Sequence, residues 1–393
     1  MTHGSPPTTP LKVLFLTSWY PIEGKPFHGI FVQRQAESLA PYCEVSTVYV
    51  CSAAQKNVEV KTIRGIYTVI VYFKRIENFI FPFSYFLRLY RYLFAWKKAL
   101  KIFLRQKGKP DIIHANIVYP VSVIAAFLKR IWGIPYIISE HFTGYFPADG
   151  QYKGFLLKKL SAFGVRGSSA VITVSKSLVE NMRRAGLASN YRIIPNVVDT
   201  TVFNVAEDYA PMPDEFTFLH VSLLNEKQKN ISGIINSFSR VNKTFPTAKL
   251  VMAGEGEDKV LLQKHSEKLG IGNAVSFIGY KSNEEIARLM QKSGAVVLFS
   301  NFESQSIVLL EALCCGIPVI SSKCGGPEEY VTSQNGLLVE IGNEKQLADA
   351  MIQMVKNRAQ YNSVEIRKSV VDMVSKDNVA QKIMEVYHTV LKK

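Results

Sequence analysis

Short apolar runs rich in β-branched residues recur along the whole chain, and each is followed by a stretch with helical spacing. In the first half they are Lys12 to Thr17, Glu44 to Val50, Tyr67 to Phe73, Asp111 to Ala115, Tyr136 to Ser139 and Ala170 to Val174. In the second half they are Phe216 to Ser222, Lys249 to Ala253, Val275 to Ile278, Ala295 to Phe299 and Pro318 to Ser321. Runs this short and apolar read as strands covered on both faces. Their alternation with helices predicts parallel sheets in an α/β fold. Open sheets of this kind hold ligands beyond the carboxyl ends of their strands, so the loops after the strands are where chemistry is expected.

The length of 393 residues suits two such units. A boundary is expected between Val202 and Pro213, where Glu207, Asp208, Pro211 and Pro213 interrupt the periodic pattern. The final segment, Asn378 to Leu391, carries Val379, Ile383, Val386 and Val390 at helical spacing and must bury that face. The five cysteines, Cys43, Cys51, Cys314, Cys315 and Cys324, form no C-x-x-C pair and read as reduced core thiols, which fits a cytoplasmic setting. The proline-rich start has no basic n-region, and the apolar run Leu11 to Leu16 is too short for a signal peptide. No apolar stretch reaches membrane-spanning length.

Charge is unevenly spread. Residues 1–200 hold 26 Lys+Arg against 10 Asp+Glu, whereas residues 201–393 hold 21 against 22. An anionic surface or partner for the first half follows from that imbalance. Its densest part is residues 79–109, in which aromatic and leucine side chains interleave with Arg and Lys and no acidic residue occurs between Glu77 and Asp111. Such a helix suits an anionic membrane interface, and it equally suits a core helix with a solvated basic face. No nucleic-acid-binding motif accompanies it, so nucleic acid is not an expected partner.

Two glutamates, Glu303 and Glu311, stand eight residues apart after the run Ala295 to Phe299. If a helix starts near Ser304, residues at that spacing lie within about 80° of each other around its axis. Backbone amides at a helix N-terminus favour phosphate. Carboxylates accept hydrogen bonds from sugar hydroxyls. The combination suggests a sugar nucleotide, although a glutamate near a helix start also complements the helix dipole without any ligand. Glu311 is set among Leu309, Leu310, Ala312, Leu313, Cys314 and Cys315, and charges are rarely buried unless paired.

Other loops supply weaker signals. Gly29 lies in the passage Pro21 to Phe31 after the first strand, ahead of a helix near Ile30. His114 and His141 each end a strand and are expected to point at one crevice, though a lone histidine is more often structural. Lys227 and Lys229 follow Phe216 to Ser222 and can neutralise phosphate as point charges, or simply decorate a solvated loop. Ala253-Gly254-Glu255-Gly256 lacks the G-x-G-x-x-G spacing of a dinucleotide site. There is no H-E-x-x-H and no Asp-x-Asp, so no metal is expected and no cofactor either.

Together, in order, these segments resemble the GT-B glycosyltransferases, in particular the retaining family 4 (glycosyl transferases group 1). The matching pieces are Asp111-Ile-Ile-His114-Ala115, Ser139-Glu140-His141, Ala170 to Ser175, Ile194-Pro195-Asn196-Val197-Val198-Asp199 with Phe203, Ala253 to Gly256 and Phe277 to Tyr280. Behind them come Glu303 to Ala312, Gly316-Ile317-Pro318-Val319 and Gly325-Gly326 through Glu329. The resemblance implies two Rossmann-like doubly wound domains facing a cleft. It places an acceptor-side domain at 1–204, a nucleotide-sugar domain at 205–376 and a C-terminal helix, 377–393, packed back on the first.

It further implies roles. Glu311 would hold the ribose hydroxyls and Glu303 the donor sugar. Amides around Ser306, Ile307 and Val308 would receive the diphosphate, helped by Lys229. Gly279 and Tyr280 would lie near the base. Gly29 would admit the phosphate to the backbone, and His141 would face the sugar. The implied reaction is metal-independent transfer from a nucleoside diphosphate sugar, UDP-linked on general grounds, to a lipid-linked or cell-surface glycan acceptor at the inner membrane face. Alternatives are a sugar-nucleotide epimerase or hydrolase of the same fold, and a non-catalytic membrane-surface scaffold.

The chain departs from the family pattern twice. Val221-Ser222-Leu223-Leu224 lacks the usual arginine, which leaves Lys227 or a helix N-terminus to compensate. Gln305 and Ser306 stand where a glycine is common after the first glutamate.

Overall fold

A computed structural model describes residues 10–24, 28–74, 83–206 and 215–392. Residues 25–27 of the loop before α1, residues 79–82 of the basic aromatic segment and residues 207–213 of the expected boundary lie outside the described residues.

The strands are β1 Lys12–Thr17, β2 Glu44–Ala53, β3 Asn57–Ile63, β4 Ile66–Lys74, β5 Ile112–Asn116, β6 Tyr136–Glu140, β7 Ala170–Thr173, β8 Tyr191–Ile193, β9 Thr217–Val221, β10 Lys249–Ala253, β11 Val275–Gly279, β12 Ala295–Leu298, β13 Val319–Ser322 and β14 Gly336–Val339. The helices are α1 Ile30–Leu39, α2 Phe83–Lys107, α3 Val121–Trp132, α4 Phe155–Gly167, α5 Lys176–Arg184, α6 Glu226–Lys229, α7 Ile231–Thr244, α8 Lys259–Lys268, α9 Asn283–Gln291, α10 Ile307–Cys314, α11 Glu344–Asn357, α12 Ser363–Lys368, α13 Val371–Val374 and α14 Lys376–Leu391.

They form two sheets. The first has the order β3-β4-β2-β1-β5-β6-β7-β8 and the second β11-β10-β9-β12-β13-β14. All pairings are parallel except β3 with β4. That hairpin turns through Arg64 and Gly65, both at positive φ, which is the geometry a two-residue turn needs to match strand twist. The β3 edge is polar and largely exposed, and its alternating Asn-Val-Glu-Val-Lys-Thr-Ile gives no continuous apolar run to signal it.

In each sheet the chain builds outward on one side of its first strand and then returns to the other. The reversal falls between β1 and β5, where Phe15 is paired with both Thr47 of β2 and His114 of β5. In the second sheet it falls between β9 and β12, with Leu219 beside both Val251 and Val296. At such a reversal the loops leave in opposite directions and open a crevice at the carboxyl ends.

The chain's last helix, α14, returns to the first sheet. Val379, Ala380, Ile383, Val386, Tyr387 and Val390 are buried with Val13 and Phe15 of β1 and with Val32, Ala36 and Leu39 of α1. Here the expectation for His114 is corrected. Its side chain does not point into the crevice but lies fully buried beneath α14. Nδ1 is 2.7 Å from the Tyr387 hydroxyl and Nε2 is 2.7 Å from Ser139 Oγ. Burial, with some repulsion from His141, pushes the imidazole down to about 3, so it is neutral and can donate at one nitrogen while accepting at the other.

Replacing Tyr387 by Phe leaves a buried imidazole nitrogen without its partner. We expect Tyr387→Phe to lower stability by about 1–3 kcal/mol in urea unfolding, with little change in slope. A loss under about 0.3 kcal/mol would show that the contact holds nothing together.

Candidate active site

The loops after β9 and β12 meet at the second sheet's reversal point. They are stitched together by Asn301 N donating to the Gln228 carbonyl at 2.8 Å and Asn301 Nδ2 donating to the Lys227 carbonyl at 2.9 Å. Helix α10 begins at Ile307 and not near Ser304, so Glu303 is not at its mouth and the angular argument from a continuous helix fails. Backbone bonds place Glu303 instead. Its amide donates to the Cys324 carbonyl at 2.9 Å, and its carbonyl accepts from Gly326 N at 3.1 Å. Glu303 is 6% exposed. Its Oε1 accepts from Lys229 Nζ at 2.5 Å and from Ser300 Oγ at 2.8 Å. Any anion that reaches Lys229 must therefore share that ammonium with Glu303.

The tight turn between Glu303 and α10 shows what Gln305 and Ser306 do where the family pattern has a glycine. Ser306 sits at φ 66°, ψ 90°, a left-handed conformation that glycine adopts freely and that costs another residue about 1–3 kcal/mol. The Tyr330 hydroxyl braces the turn, 2.5 Å from the Gln305 carbonyl. Gln305 is buried and its Oε1 accepts from both N and Nδ2 of Asn196, at 2.8 and 2.9 Å, across to the first half. Ser306 makes no side-chain cap on α10. The first-turn amides of Ile307 and Val308 have no partner within the helix and can receive an anion.

Glu311 lies one turn into α10 and is 5% exposed. It too is paired. Arg34 of α1 donates from Nη1 to Glu311 Oε1 at 2.7 Å and from Nη2 to Asn283 Oδ1 at 3.2 Å. Burial raises the Glu311 carboxyl above its ordinary range and the Arg34 guanidinium opposes that shift.

From the first half, Gly29 starts α1 at φ 73°. A Cβ there would stand 2.3 Å from the Trp19 carbonyl carbon, so the helix start can lie against that loop only as glycine. His141 follows β6. Its ring centroid lies 4.3 Å from that of Phe31, and both ring nitrogens are shut from solvent with no hydrogen-bond partner among the described residues. Burial pushes this imidazole down to about 3, and the Asn196 side chain opposes that shift without reaching hydrogen-bond geometry. His141 is therefore neutral near pH 7, with unspent donor and acceptor capacity. Beside it, Glu140 is buried and accepts from the amides of Val118, His141 and Phe142 and from the Tyr145 hydroxyl, which fixes the backbone that presents His141.

The remaining expected residues are more scattered. Lys227 donates from Nζ to the Asp149 carbonyl of the first half at 2.9 Å. Gly279 ends β11 and its carbonyl accepts from Gly254 N at 2.9 Å; Tyr280 follows it and is half-exposed. They lie at the end of the edge strand, two strands away from β9, which leads to Lys229. Ser177 N donates to Glu329 Oε1 at 3.0 Å, one more contact between the halves. Among the described residues, no group of three or more His, Cys, Asp or Glu could hold a metal ion.

Arg34, Asn283, Glu140 and the Gln305–Asn196 contact were not singled out from sequence. The available signal for Arg34 was the polar triplet Gln33-Arg34-Gln35 inside a helix flanked by Val32, Ala36 and Leu39. A helix covered on both faces should not carry such a triplet without partners.

Comparison with known proteins agrees with this geometry. The family described as Glycosyltransferase Family 4 matches residues 32–202, and the family described as Glycosyl transferases group 1 matches residues 205–369. An N-acetyl-alpha-D-glucosaminyl L-malate synthase from Bacillus anthracis is 26% identical over 299 residues, covering 73% of this chain and 77% of that protein. A glycogen synthase from Mycobacterium tuberculosis is 27% identical over 253 residues, covering 62% of this chain and 59% of that protein. Among solved structures, a sucrose-phosphate synthase from Thermosynechococcus elongatus superposes with a TM-score of 0.77 at 19% identity, over 97% of this chain and 99% of that one. Anabaena HepE in complex with UDP superposes with a TM-score of 0.74 at 18% identity, over 96% and 100%. The two doubly wound sheets, their shared crevice and the paired family matches have one meaning: the chain belongs to the GT-B glycosyltransferases of group 1, family 4.

Proposed function

We propose that this protein transfers a sugar from a nucleoside diphosphate sugar to a glycan or lipid-linked acceptor, with retention at the anomeric carbon and without a metal ion. Residues 1–204 would take the acceptor and residues 205–376 the donor. The observation that carries this reading is the pair of buried carboxylates at the second sheet's reversal point, each held by one basic group beside the start of α10. Glu311 is offered to the ribose, Glu303 to the transferred sugar and the amides of α10 to the diphosphate. A UDP-linked donor is favoured, supported by the UDP bound to Anabaena HepE.

In this reading the bond from the anomeric carbon to the phosphate oxygen breaks as the acceptor oxygen bonds to the same face. The acceptor's proton passes to the leaving phosphate oxygen. Charge grows on the diphosphate, so Lys229 and the α10 amides supply the largest stabilisation. His141 lends a neutral donor to the sugar, since its imidazole stays uncharged near pH 7.

The acceptor is proposed to be lipid-linked or part of a cell-surface glycan precursor, reached from the cytoplasmic membrane face. Support comes from α2, where Phe86, Tyr90 and Leu93 are exposed on the helical face that continues as Lys97 and Lys101. An open groove of about 920 Å³ lies between α2 and α3, lined by Trp96, Leu100, Phe127 and Ile131 and edged by Lys97, Lys101 and Arg105. The other face of α2, with Ala95, Ala99 and Phe103, is spent on the core. Among the described residues, no helix is long and apolar enough to cross a membrane.

Four outcomes check the proposal. A UDP-sugar should raise the melting temperature by several degrees at about 100 times its Kd, with GDP- and ADP-sugars weaker; a flat response to all three would contradict it. Lys229→Ala should lower kcat about 100-fold or more in a UDP-release assay with product analysis for a glycoside. His141→Phe should also lose activity yet keep its stability within about 1 kcal/mol, because it removes two buried unpartnered nitrogens. Near-normal turnover in either variant would defeat its assignment. Finally, Lys97, Lys101 and Arg105 changed together to Gln should weaken binding to anionic vesicles about tenfold or more. Equal binding to anionic and zwitterionic vesicles would contradict the membrane role.

A further inference from the structure

We infer that Arg34 is a positioning residue of the donor site, delivered by the first half to fix the Glu311 carboxylate, so that the site is complete only with both halves in place. The inference rests on the donor-site reading above.

Arg34 belongs to α1, but among the described residues the hydrogen bonds and the ring contact of its guanidinium all reach the second half or the segment leading into it. Nη1 meets Glu311 of α10 at 2.7 Å, Nη2 meets Asn283 of α9 at 3.2 Å, and the guanidinium lies 6.0 Å from the Phe203 ring centroid. The residue is 6% exposed. Packing of α1 does not require it, because Val32, Ala36 and Leu39 bury that helix and Gln33 is satisfied locally by Glu37. Nor is net stability a sufficient reason. The desolvation of a buried ion pair roughly offsets its attraction, so an apolar pair of similar volume would serve as well.

The chemistry of the carboxylate supplies a reason. Glu311 can accept about four hydrogen bonds, and among the described contacts only Oε1 is engaged, by Arg34. Held this way, the second oxygen keeps a fixed aim and free acceptor capacity, which suits the two hydroxyls of a ribose. Arg34 also decides whether those acceptors are ionised. The groups around Glu311 are the Cys314 and Cys315 thiols at the end of its helix, both pushed up by burial and neutral, the uncharged Asn283 of α9, and Arg367 of α12, which donates to the Cys314 carbonyl. Arg34 is the cation in direct contact, and it opposes the burial that raises the Glu311 carboxyl.

Loss of Arg34 therefore loosens the carboxylate and lets it hold a proton to higher pH. A protonated carboxyl has lost acceptor capacity, so nucleotide affinity becomes weakest at the acid end and recovers as pH rises. A merely structural Arg34 would give no such profile.

The test is calorimetric titration of UDP into the full-length chain between about pH 6 and 8, comparing wild type with Arg34→Met, Arg34→Lys and Asn283→Ala. Wild type should vary less than about twofold across that range. Arg34→Met should bind about tenfold more weakly at the acid end and regain affinity as pH rises, with Arg34→Lys in between. A folded Arg34→Met variant with wild-type affinity and a flat profile overturns the inference. If that variant does not fold, Asn283→Ala decides: it releases one anchor of the guanidinium and should weaken UDP about threefold, and unchanged affinity overturns the inference. Failure of wild type itself to bind UDP would instead remove the donor-site reading, and this inference with it.

Discussion

Everything in the cleft follows from the difficulty of burying a carboxylate. Glu303 and Glu311 are each about 5–6% exposed, in a chain whose second half has almost no net charge to spare. An isolated buried carboxylate would take up a proton or unfold its surroundings. Each is instead matched by one basic side chain, and the two matches differ. Lys229 comes from the same half, across the sheet's reversal point, and completes the site locally. Arg34 comes from the other half and makes the second match conditional on both halves being together. The arrangement thus ties the chemistry of one sheet to the placement of the other.

The topology makes these matches possible. Loops that leave β9 and β12 in opposite directions bring Lys229 and Glu303 together from positions 74 residues apart in the chain. On the facing side, β6 ends at Glu140, whose four hydrogen bonds fix the turn that carries His141. The C-terminal helix α14 then packs α1 against β1 and closes over His114. Because α1 carries Arg34, the last helix of the chain helps to position a residue in the cleft.

Much of this was legible in the sequence. The apolar runs located β1, β2, β4 to β7 and β9 to β13 within a few residues, because strands covered on both faces must be apolar throughout. The exceptions have physical reasons. β3 is a polar edge strand with one apolar face, and β8 and β14 are short edge strands. Glu303 and Glu311 could be singled out because a charge inside an apolar segment needs a reason. Their geometry could not, because Ser306 departs from helical backbone and delays α10 to Ile307. His114 and His141 look alike in sequence, each ending a strand. Only the fold distinguishes the one beneath Tyr387 from the one with open ring nitrogens. The partners of buried charges come from distant segments, and Arg34 lies 277 residues from Glu311. Local pattern carries no information at that range.

The most direct test of the central claim is a structure of the full chain with UDP bound. The two ribose hydroxyls are expected at hydrogen-bond distance, about 2.5–3.0 Å, from the Glu311 carboxylate, with Arg34 still on its Oε1 and the diphosphate over the first turn of α10. UDP bound elsewhere, or a ribose turned away from Glu311 with the Arg34 pair untouched, would contradict it.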